Sequence, residues 1–270
     1  MSDRLSIGEA EIVSVPDGAG VLPAGFEGQW GDYRETYPDM FRPDGSWHIH
    51  NGCHVVIADG RKVLVDTGMG PWPYKRYGSV EGELEASFAA AGMTFADIDT
   101  VFLTHGHPDH VGWNVLDSGE LTFPNARYLL HEADWQEFTG REKTPNFVHR
   151  SLHPVMKAGR FDLLDGETTV SDSLTAIETP GHTPGHMSLL LYSGGEGFIF
   201  AGDVFSTPVY VTDPDLDFES DYDMERGKRT RNAVLQRIED EGLLVSAPHF
   251  KDPGWGAVVR VEGKRIFRAL

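Results

Sequence analysis

Apolar runs of strand length alternate along this chain with segments of helical periodicity, and most runs end in turn residues. These runs predict strands at 5–15, 53–58, 62–66, 101–104, 126–131, 174–179, 187–192, 198–201, 243–246, 257–261 and 265–268. Helical spacing predicts helices before Gly92 and over 226–241, and a mostly helical insertion at 132–157. Strands in both halves with interspersed helices favour an α/β fold of two packed sheets covered by helices. No linker or repeat divides residues 1–270, so we expect one domain.

Composition and charge narrow the classes of partner. A hydrophobic content of 40% is enough for a large core. The net charge of −19 disfavours nucleic acid, because such a surface repels phosphates. No apolar stretch approaches the length of a membrane span, and residues 1–20 lack the apolar centre of a signal peptide. We therefore expect no nucleic acid and no membrane as partner, and a cytoplasmic location. Cys53 is the only cysteine, so no internal disulfide can form.

Three imidazoles and one carboxylate fall within six residues directly after the predicted strand 101–104. They are His105, His107, Asp109 and His110. A glycine and a proline inside this H-x-H-x-D-H segment favour a loop, which lets the side chains converge. Imidazole suits zinc and related divalent ions, and the carboxylate suits a second ion or proton transfer. The segment therefore predicts a metal site at a strand end.

Four later side chains extend this site. His182 and His186 lie in a Gly/Pro-rich turn after one predicted strand, Asp203 follows another, and His249 follows a third. Each position at a strand end allows the side chain to point into a shared cleft. Alone each signal is weak, but together with the first motif they provide enough ligands for two ions that share one carboxylate.

The order of these segments resembles that of the metallo-β-lactamase superfamily, over nearly the whole chain. The matching segments are 63–68, 105–110, 181–186, 202–203 and His249. The resemblance implies an αββα sandwich, in which two mixed β-sheets pack face to face with helices outside. It also implies a metal site at one edge of the sandwich.

The resemblance further implies a role for each ligand. The first metal takes His105, His107 and His186, the second takes Asp109, His110 and His249, and Asp203 bridges the two. His182 is expected to be structural. Asp66 is expected to accept a hydrogen bond from a ligand imidazole and so to fix its tautomer. The implied cofactors are two divalent ions per chain, with Zn²⁺ first and iron or manganese as alternatives.

The identity of the metal-ligating residues narrows the range of activities that the resemblance implies. Redox-active di-iron members carry a carboxylate where this chain has His107. True β-lactamases use a cysteine at the second metal or lack the bridging carboxylate, whereas here Cys53 lies far upstream and Asp203 is present. The chain therefore looks most like the lactonase and ester-hydrolase branch, which includes N-acyl-homoserine lactonases. The alternatives are an iron-dependent oxidoreductase, a phosphotriester, thioester or β-lactam hydrolase, and a catalytically silent metal-binding scaffold.

The expected chemistry is attack on the substrate carbonyl by a metal-activated hydroxide. Asp109 is the expected catalytic residue, because it can carry a proton to the leaving oxygen. Lactonases of the best-known type have a tyrosine three residues after the bridging aspartate, where this chain has Ser206. Ser206 is thus a candidate substrate contact, and Tyr210 from the same loop is a substitute for the missing tyrosine unless it is a surface residue.

The connection 23–47 is long and rich in aromatic residues, including Trp30 and Tyr33. Connections of this length are often functional. We predict that it caps the cleft, contacts an apolar substrate or forms an interface with a second subunit, so a homodimer is one of the expected assemblies. The expected substrate is a small uncharged or apolar ester or lactone.

Overall fold

The computed structural model of the chain describes residues 2–23, 33–72, 75, 78 and 80–270. The described strands are β1 (Arg4–Ile7), β2 (Ala10–Ser14), β3 (Ala19–Leu22), β4 (Trp47–His50), β5 (His54–Ala58), β6 (Arg61–Val65), β7 (Thr100–Phe102), β8 (Arg127–His131), β9 (Phe161–Leu164), β10 (Thr168–Thr169), β11 (Leu174–Glu178), β12 (Met187–Ser193), β13 (Glu196–Phe200), β14 (Leu244–Ser246), β15 (Trp255–Val261) and β16 (Lys264–Ala269). The described α-helices are α1 (Leu84–Ala90), α2 (Glu132–Thr139), α3 (His153–Lys157), α4 (Val209–Thr212) and α5 (Met224–Glu241).

Two seven-stranded mixed sheets dominate the architecture. The first has the order β1-β2-β5-β6-β7-β8-β9 and is parallel from β6 to β9. The second has the order β10-β11-β12-β13-β14-β15-β16, in which β13 and β14 form the parallel pair. β3 and β4 form a separate two-stranded sheet. Two mixed sheets with helices confirm the predicted α/β sandwich.

Both faces of the central strands are buried, which explains their nearly continuous apolar sequences. Successive side chains of a strand point to opposite faces. In β6, Val63 therefore packs in the core between the sheets, while Leu64 packs in an outer core that includes Phe88 of α1. In β13, Phe200 points inward, and Ile199 joins an outer core with Leu235 of α5. The helices thus cover the outer face of each sheet.

The longest helix, α5, has conventional signals at both ends. Asp223 is its N-cap and accepts a hydrogen bond from the Arg226 backbone N–H at 2.9 Å. Gly242 follows its last turn with a left-handed φ of 65°, which glycine adopts without strain. The helix begins two residues earlier than predicted and ends at the predicted residue. Within the described part of the chain, no helix combines the length and apolar character needed to cross a membrane.

The N-terminal region differs from the prediction. The single strand predicted over 5–15 is a hairpin, β1–β2, whose turn contains Gly8 with φ 54°. A Cβ at Gly8 would lie 2.3 Å from the Ser193 carbonyl oxygen, so both the backbone conformation and the close approach require glycine. The interpretation of 5–15 as one strand is therefore wrong.

The aromatic connection is bounded by a small sheet that the sequence did not predict. β3 and β4 pair antiparallel, with Leu22 opposite Trp47. A 3₁₀ turn, Pro38–Met40, lies within the described part of the connection. Trp30 falls outside the described residues.

The insertion predicted at 132–157 is present and contains α2, a π-helical turn and α3.

Candidate metal centre

Four strand ends bring the candidate ligands to one edge of the sandwich. β7 leads into the loop 105–110, and β11 leads into the turn that holds His182. β13 ends just before a 3₁₀ turn that contains Asp203, and β14 ends three residues before His249. β13 and β14 are parallel neighbours, so their carboxyl ends lie side by side. The sheets therefore place side chains that are up to 144 residues apart in one cleft.

The ligand atoms fall into three overlapping groups, and within each group they lie within 4.8 Å of one another. The groups are His105, His107 and His182; His105, His110 and Asp203; and Asp109, His110 and His249. The sharing of His105 and His110 joins the groups into one continuous cluster, nearly all of it buried. An extended cluster of this kind offers more ligands than a single ion needs.

The buried polar atoms of the cluster fit a bound cation. His110 Nε2 and Asp203 Oδ1 are buried, lie 3.5 Å apart and have no hydrogen-bond partner among the described residues. On the other side, His107 Nδ1 lies 2.9 Å from His105 Nε2 and 2.9 Å from His182 Nε2. Imidazole nitrogens and carboxylate oxygens of this kind are the ligands that zinc takes in catalytic sites. The donor set therefore fits divalent ions.

The two histidines of the turn lie in environments that differ from those the sequence analysis expected. His182 Nε2 faces the cluster, 3.3 Å from Asp203 Oδ2. His186 belongs to none of the three groups. Its Nδ1 lies 2.8 Å from Thr179 Oγ1, and its Nε2 accepts a hydrogen bond from the Asp203 backbone N–H at 3.0 Å. Both ring nitrogens of His186 are therefore engaged within the protein, whereas His182 lies in a candidate ligand group with His105 and His107.

The local sequence could not separate these two histidines, since Pro-Gly precedes each of them. The difference arises from position relative to β12, which begins at Met187. His186 directly precedes this strand, and its side chain is fully buried beside the strand. His182 lies four residues earlier in the bend of the turn, from which its ring reaches the cleft.

Acceptors on the far side of the rings hold the cluster histidines in orientation. Asp66 Oδ2 lies 2.9 Å from His110 Nδ1, and the same carboxylate accepts from the Thr104 backbone N–H at 2.7 Å. His249 Nδ1 donates to the His50 carbonyl oxygen at 2.7 Å. A hydrogen bond to Nδ1 fixes the tautomer in which the Nε2 lone pair faces the site. The β4 strand thus contributes to the orientation of a candidate ligand.

Burial and neighbouring charges shift the pKa values of the cluster. Burial, with a smaller contribution from the charge of His182, lowers the pKa of His107 to about 3. Burial also lowers the pKa of His110, but the carboxylates of Asp203 and Asp66 outweigh it and raise that pKa to about 10. For Asp203, burial favours the neutral acid, yet the positive charges of His249 and His110 hold its pKa well below the usual value. Asp203 is therefore a carboxylate at neutral pH.

The remaining sequence-predicted residues lie in different environments. Ser206 is buried, and its Oγ has no hydrogen-bond partner among the described residues. Tyr210 is not a surface residue, since it is 1% exposed, and its hydroxyl donates to the Asp217 carbonyl oxygen at 3.3 Å. The Tyr33 hydroxyl bonds to the Asp213 carboxylate. A role for Tyr33 at the entrance or at an interface stays a prediction.

Two features near the cluster were missed by the sequence analysis. Asp134 of α2 is fully buried and accepts hydrogen bonds from the Gly106 and Gly185 backbone N–H groups and from Thr183 Oγ1. It therefore connects the 105–110 loop to the turn of His182.

The second feature is a cavity of about 220 Å³ beside His249. Its walls include Tyr37, His48, His50, Pro208, Lys251 and Phe267. Of these residues, Tyr37 lies in the aromatic connection 23–47, for which the sequence analysis predicted a contact with an apolar substrate as one alternative.

The family of the chain follows from comparison with known proteins. Residues 51–249 match the model of the metallo-beta-lactamase superfamily. Because the match covers well over half of the 270 residues, the chain belongs to this superfamily, whose members are metal-dependent hydrolases. The predicted family is therefore confirmed, as are its fold and its hydrolase and metal-binding classes.

Lactonases are among the individual proteins to which the chain is similar. It is 32% identical over 158 residues to the uncharacterized protein YobT of Bacillus subtilis, a match that spans 57% of this chain and 61% of YobT. It is 23% identical over 221 residues to an N-acyl homoserine lactonase of Bacillus cereus, over 75% of this chain and 84% of that protein. A solved structure of AidC, described as a dizinc quorum-quenching lactonase with a bound product, has a TM-score of 0.81 at 24% identity. That likeness covers 100% of this chain and 98% of AidC, and it shows the fold.

Proposed function

We propose that this protein is a dinuclear metal hydrolase that opens lactones or cleaves carboxylic esters. The observation that carries the proposal is the continuity of the ligand cluster around Asp203. Its Oδ1 faces His110 Nε2 at 3.5 Å, while its Oδ2 faces His182 Nε2 at 3.3 Å and His249 Nε2 at 3.4 Å. One carboxylate thus reaches histidines on both sides of the cluster, as a ligand shared by two ions must.

The proposed ligand sets follow from these groups. His105, His107 and His182 hold the first ion, Asp109, His110 and His249 hold the second, and Asp203 serves both. Zinc suits this mixture of imidazole and carboxylate best, and iron and manganese are the alternatives. When bound, two such ions polarise a carbonyl oxygen and make a water molecule acidic enough to act as a nucleophile near neutral pH.

Asp109 is the proposed catalytic proton carrier. It is 8% exposed, and its Oδ2 lies 3.8 Å from His249 Nε2. A carboxylate at this position can take a proton on the nucleophile side and deliver it to the leaving oxygen of the ester.

The cavity beside His249 supports a small, mostly apolar substrate. Tyr37, Pro208 and Phe267 give this cavity an apolar wall, and its volume of about 220 Å³ suits a short acyl or ring group. The net charge of −19 disfavours anionic substrates. Lactones with an uncharged acyl group fit both features, in agreement with the lactonase among the relatives.

The proposal is tested with a substrate panel on zinc-reconstituted protein. The panel contains N-acyl homoserine lactones of several chain lengths, an aryl ester, an alkyl ester, a phosphotriester and a β-lactam. We expect the highest kcat/KM on a lactone or a carboxylic ester, and loss of that activity in chelator-treated protein. Preferred hydrolysis of the phosphotriester or the β-lactam would contradict the assigned substrate class.

A further inference from the structure

A second carboxylate lies against a cluster histidine, outside every segment that defines the family resemblance. His182 Nδ1 lies 3.2 Å from Asp221 Oδ1, while His182 Nε2 faces Asp203. The Asp221 side chain is fully buried. Because an ionised carboxylate can only accept hydrogen bonds, the proton of this contact belongs to His182 Nδ1. The contact has the same form as the one between Asp66 and His110 on the other side of the cluster.

Asp221 is itself held by a buried arginine. Arg231 of α5 is 1% exposed, and its Nη1 donates to Asp221 Oδ2 at 2.8 Å. Its Nε donates to the Pro214 carbonyl oxygen at 2.9 Å, and its Nη2 donates to the Leu216 carbonyl oxygen at 3.0 Å. All three guanidinium nitrogens are therefore engaged, and the ion pair between Arg231 and Asp221 is buried.

The packing around this arrangement leaves the His182 ring little room to turn. The Phe218 ring stacks on it with a centroid distance of 5.5 Å and an interplanar angle of 9°. A Cβ at Gly227 would lie 2.3 Å from Asp221 Oδ2, so α5 approaches the carboxylate as closely as a glycine allows. The backbone N–H groups of Tyr222 and Asp223 also bond to the turn of His182. The acidic segment 213–223 thus wraps the outer side of this turn.

A buried ion pair adds little net stability by itself, because desolvation offsets most of the attraction. The Asp221–Arg231 pair nevertheless determines what lies against His182 Nδ1. From this geometry we propose that Asp221, held by Arg231, is a positioning residue that fixes His182 as the Nδ1–H tautomer, with its Nε2 lone pair directed at the first metal ion. The inference rests on the proposed dinuclear site and adds a determinant of its metal affinity.

The test compares stepwise zinc affinities of the wild type and Asp221→Asn by competition with a chromophoric chelator. In the variant, the carboxamide NH₂ group must face either His182 Nδ1 or Arg231, and both are donors. We expect one of the two ions to bind about 10–100-fold more weakly, as is typical when such a supporting group is removed. The Co²⁺ absorption spectrum should change at the same site.

Asp17→Asn is the matched control. Asp17 is also fully buried, but it accepts hydrogen bonds from Leu84, Met69 and Trp113 instead of from a cluster histidine. We expect this control to lower the thermal midpoint of the apo protein while both zinc affinities stay within twofold of the wild type. An equal loss of affinity in both variants would mean a general effect of buried carboxylates and would overturn the positioning role.

A measurement on the wild type covers the case in which Asp221→Asn does not fold. In zinc-loaded protein labelled with ¹⁵N at histidine, the Nδ1–H proton of His182 should be protected from solvent exchange, and a rapidly exchanging proton overturns the inference. Wild-type protein that binds fewer than two ions rejects the proposed function and this inference with it. Two ions in the wild type with unchanged affinities in a folded Asp221→Asn reject the inference alone.

Discussion

A substitution of Asp134 tests how the 105–110 loop and the turn of His182 are held together. Its Oδ2 accepts from the Gly106 backbone N–H at 2.8 Å and from Thr183 Oγ1 at 2.9 Å, and its Oδ1 accepts from the Gly185 N–H at 2.7 Å. In Asp134→Asn, one of these positions becomes an NH₂ group that faces a donor. The least costly orientation keeps both bonds at the Oδ2 position and leaves the Gly185 N–H without an acceptor.

An unsatisfied buried donor costs about 1–3 kcal/mol, and we expect the free energy of unfolding of Asp134→Asn to fall by that amount. The assay is urea denaturation of the chelator-treated protein followed by circular dichroism. The exposed Asp117→Asn serves as the control and should change the free energy by less than about 0.5 kcal/mol. If Asp134→Asn is as stable as this control, the hydrogen bonds of Asp134 do not stabilise the contact between the 105–110 loop and the turn of His182.

Three further changes test separate parts of the account. Asp109→Asn should lower kcat about 10²–10⁴-fold on alkyl esters and less on an aryl ester, whose leaving group departs without a proton; equal losses with both ions retained would leave Asp109 only a ligand. Phe88→Ala should cost about 3–5 kcal/mol in urea unfolding, because the ring packs against Phe95 and Phe123. Hydrogen bonds from Arg265 and Arg260 lower the pKa of Glu239 from 4.5 to about 2. Glu239 therefore stabilises the fold above about pH 4.5 and loses this effect as the pH falls toward 2, so the stability of Glu239→Gln should depend less on pH in that window.

The sequence predicted those parts of the site that depend on residues close together along the chain. The strand that leads into His105–His110 and the ligand positions at the ends of later strands follow from local apolar runs and turn residues. The expectation of His186 rather than His182 as a ligand had no support in the local sequence, because both follow Pro-Gly and only the start of β12 distinguishes them.

Contacts between distant residues account for the other omissions. Asp134 and Asp221 each appear in the sequence as one carboxylate among many, and their roles depend on loops 28 and 39 residues away. The β3–β4 pair was missed because each strand has four residues and the intervening connection has no periodicity. The Gly8 turn was missed because a lone glycine in an apolar run does not distinguish a hairpin from a bulge.

The zinc content of the chain tests the central claim most directly. Native mass spectrometry of the zinc-reconstituted wild type should show two ions per chain. His249→Ala should retain one of them, since His105, His107 and His182 form a group without it. A single ion in the wild type, held equally well by His249→Ala, would contradict the dinuclear site.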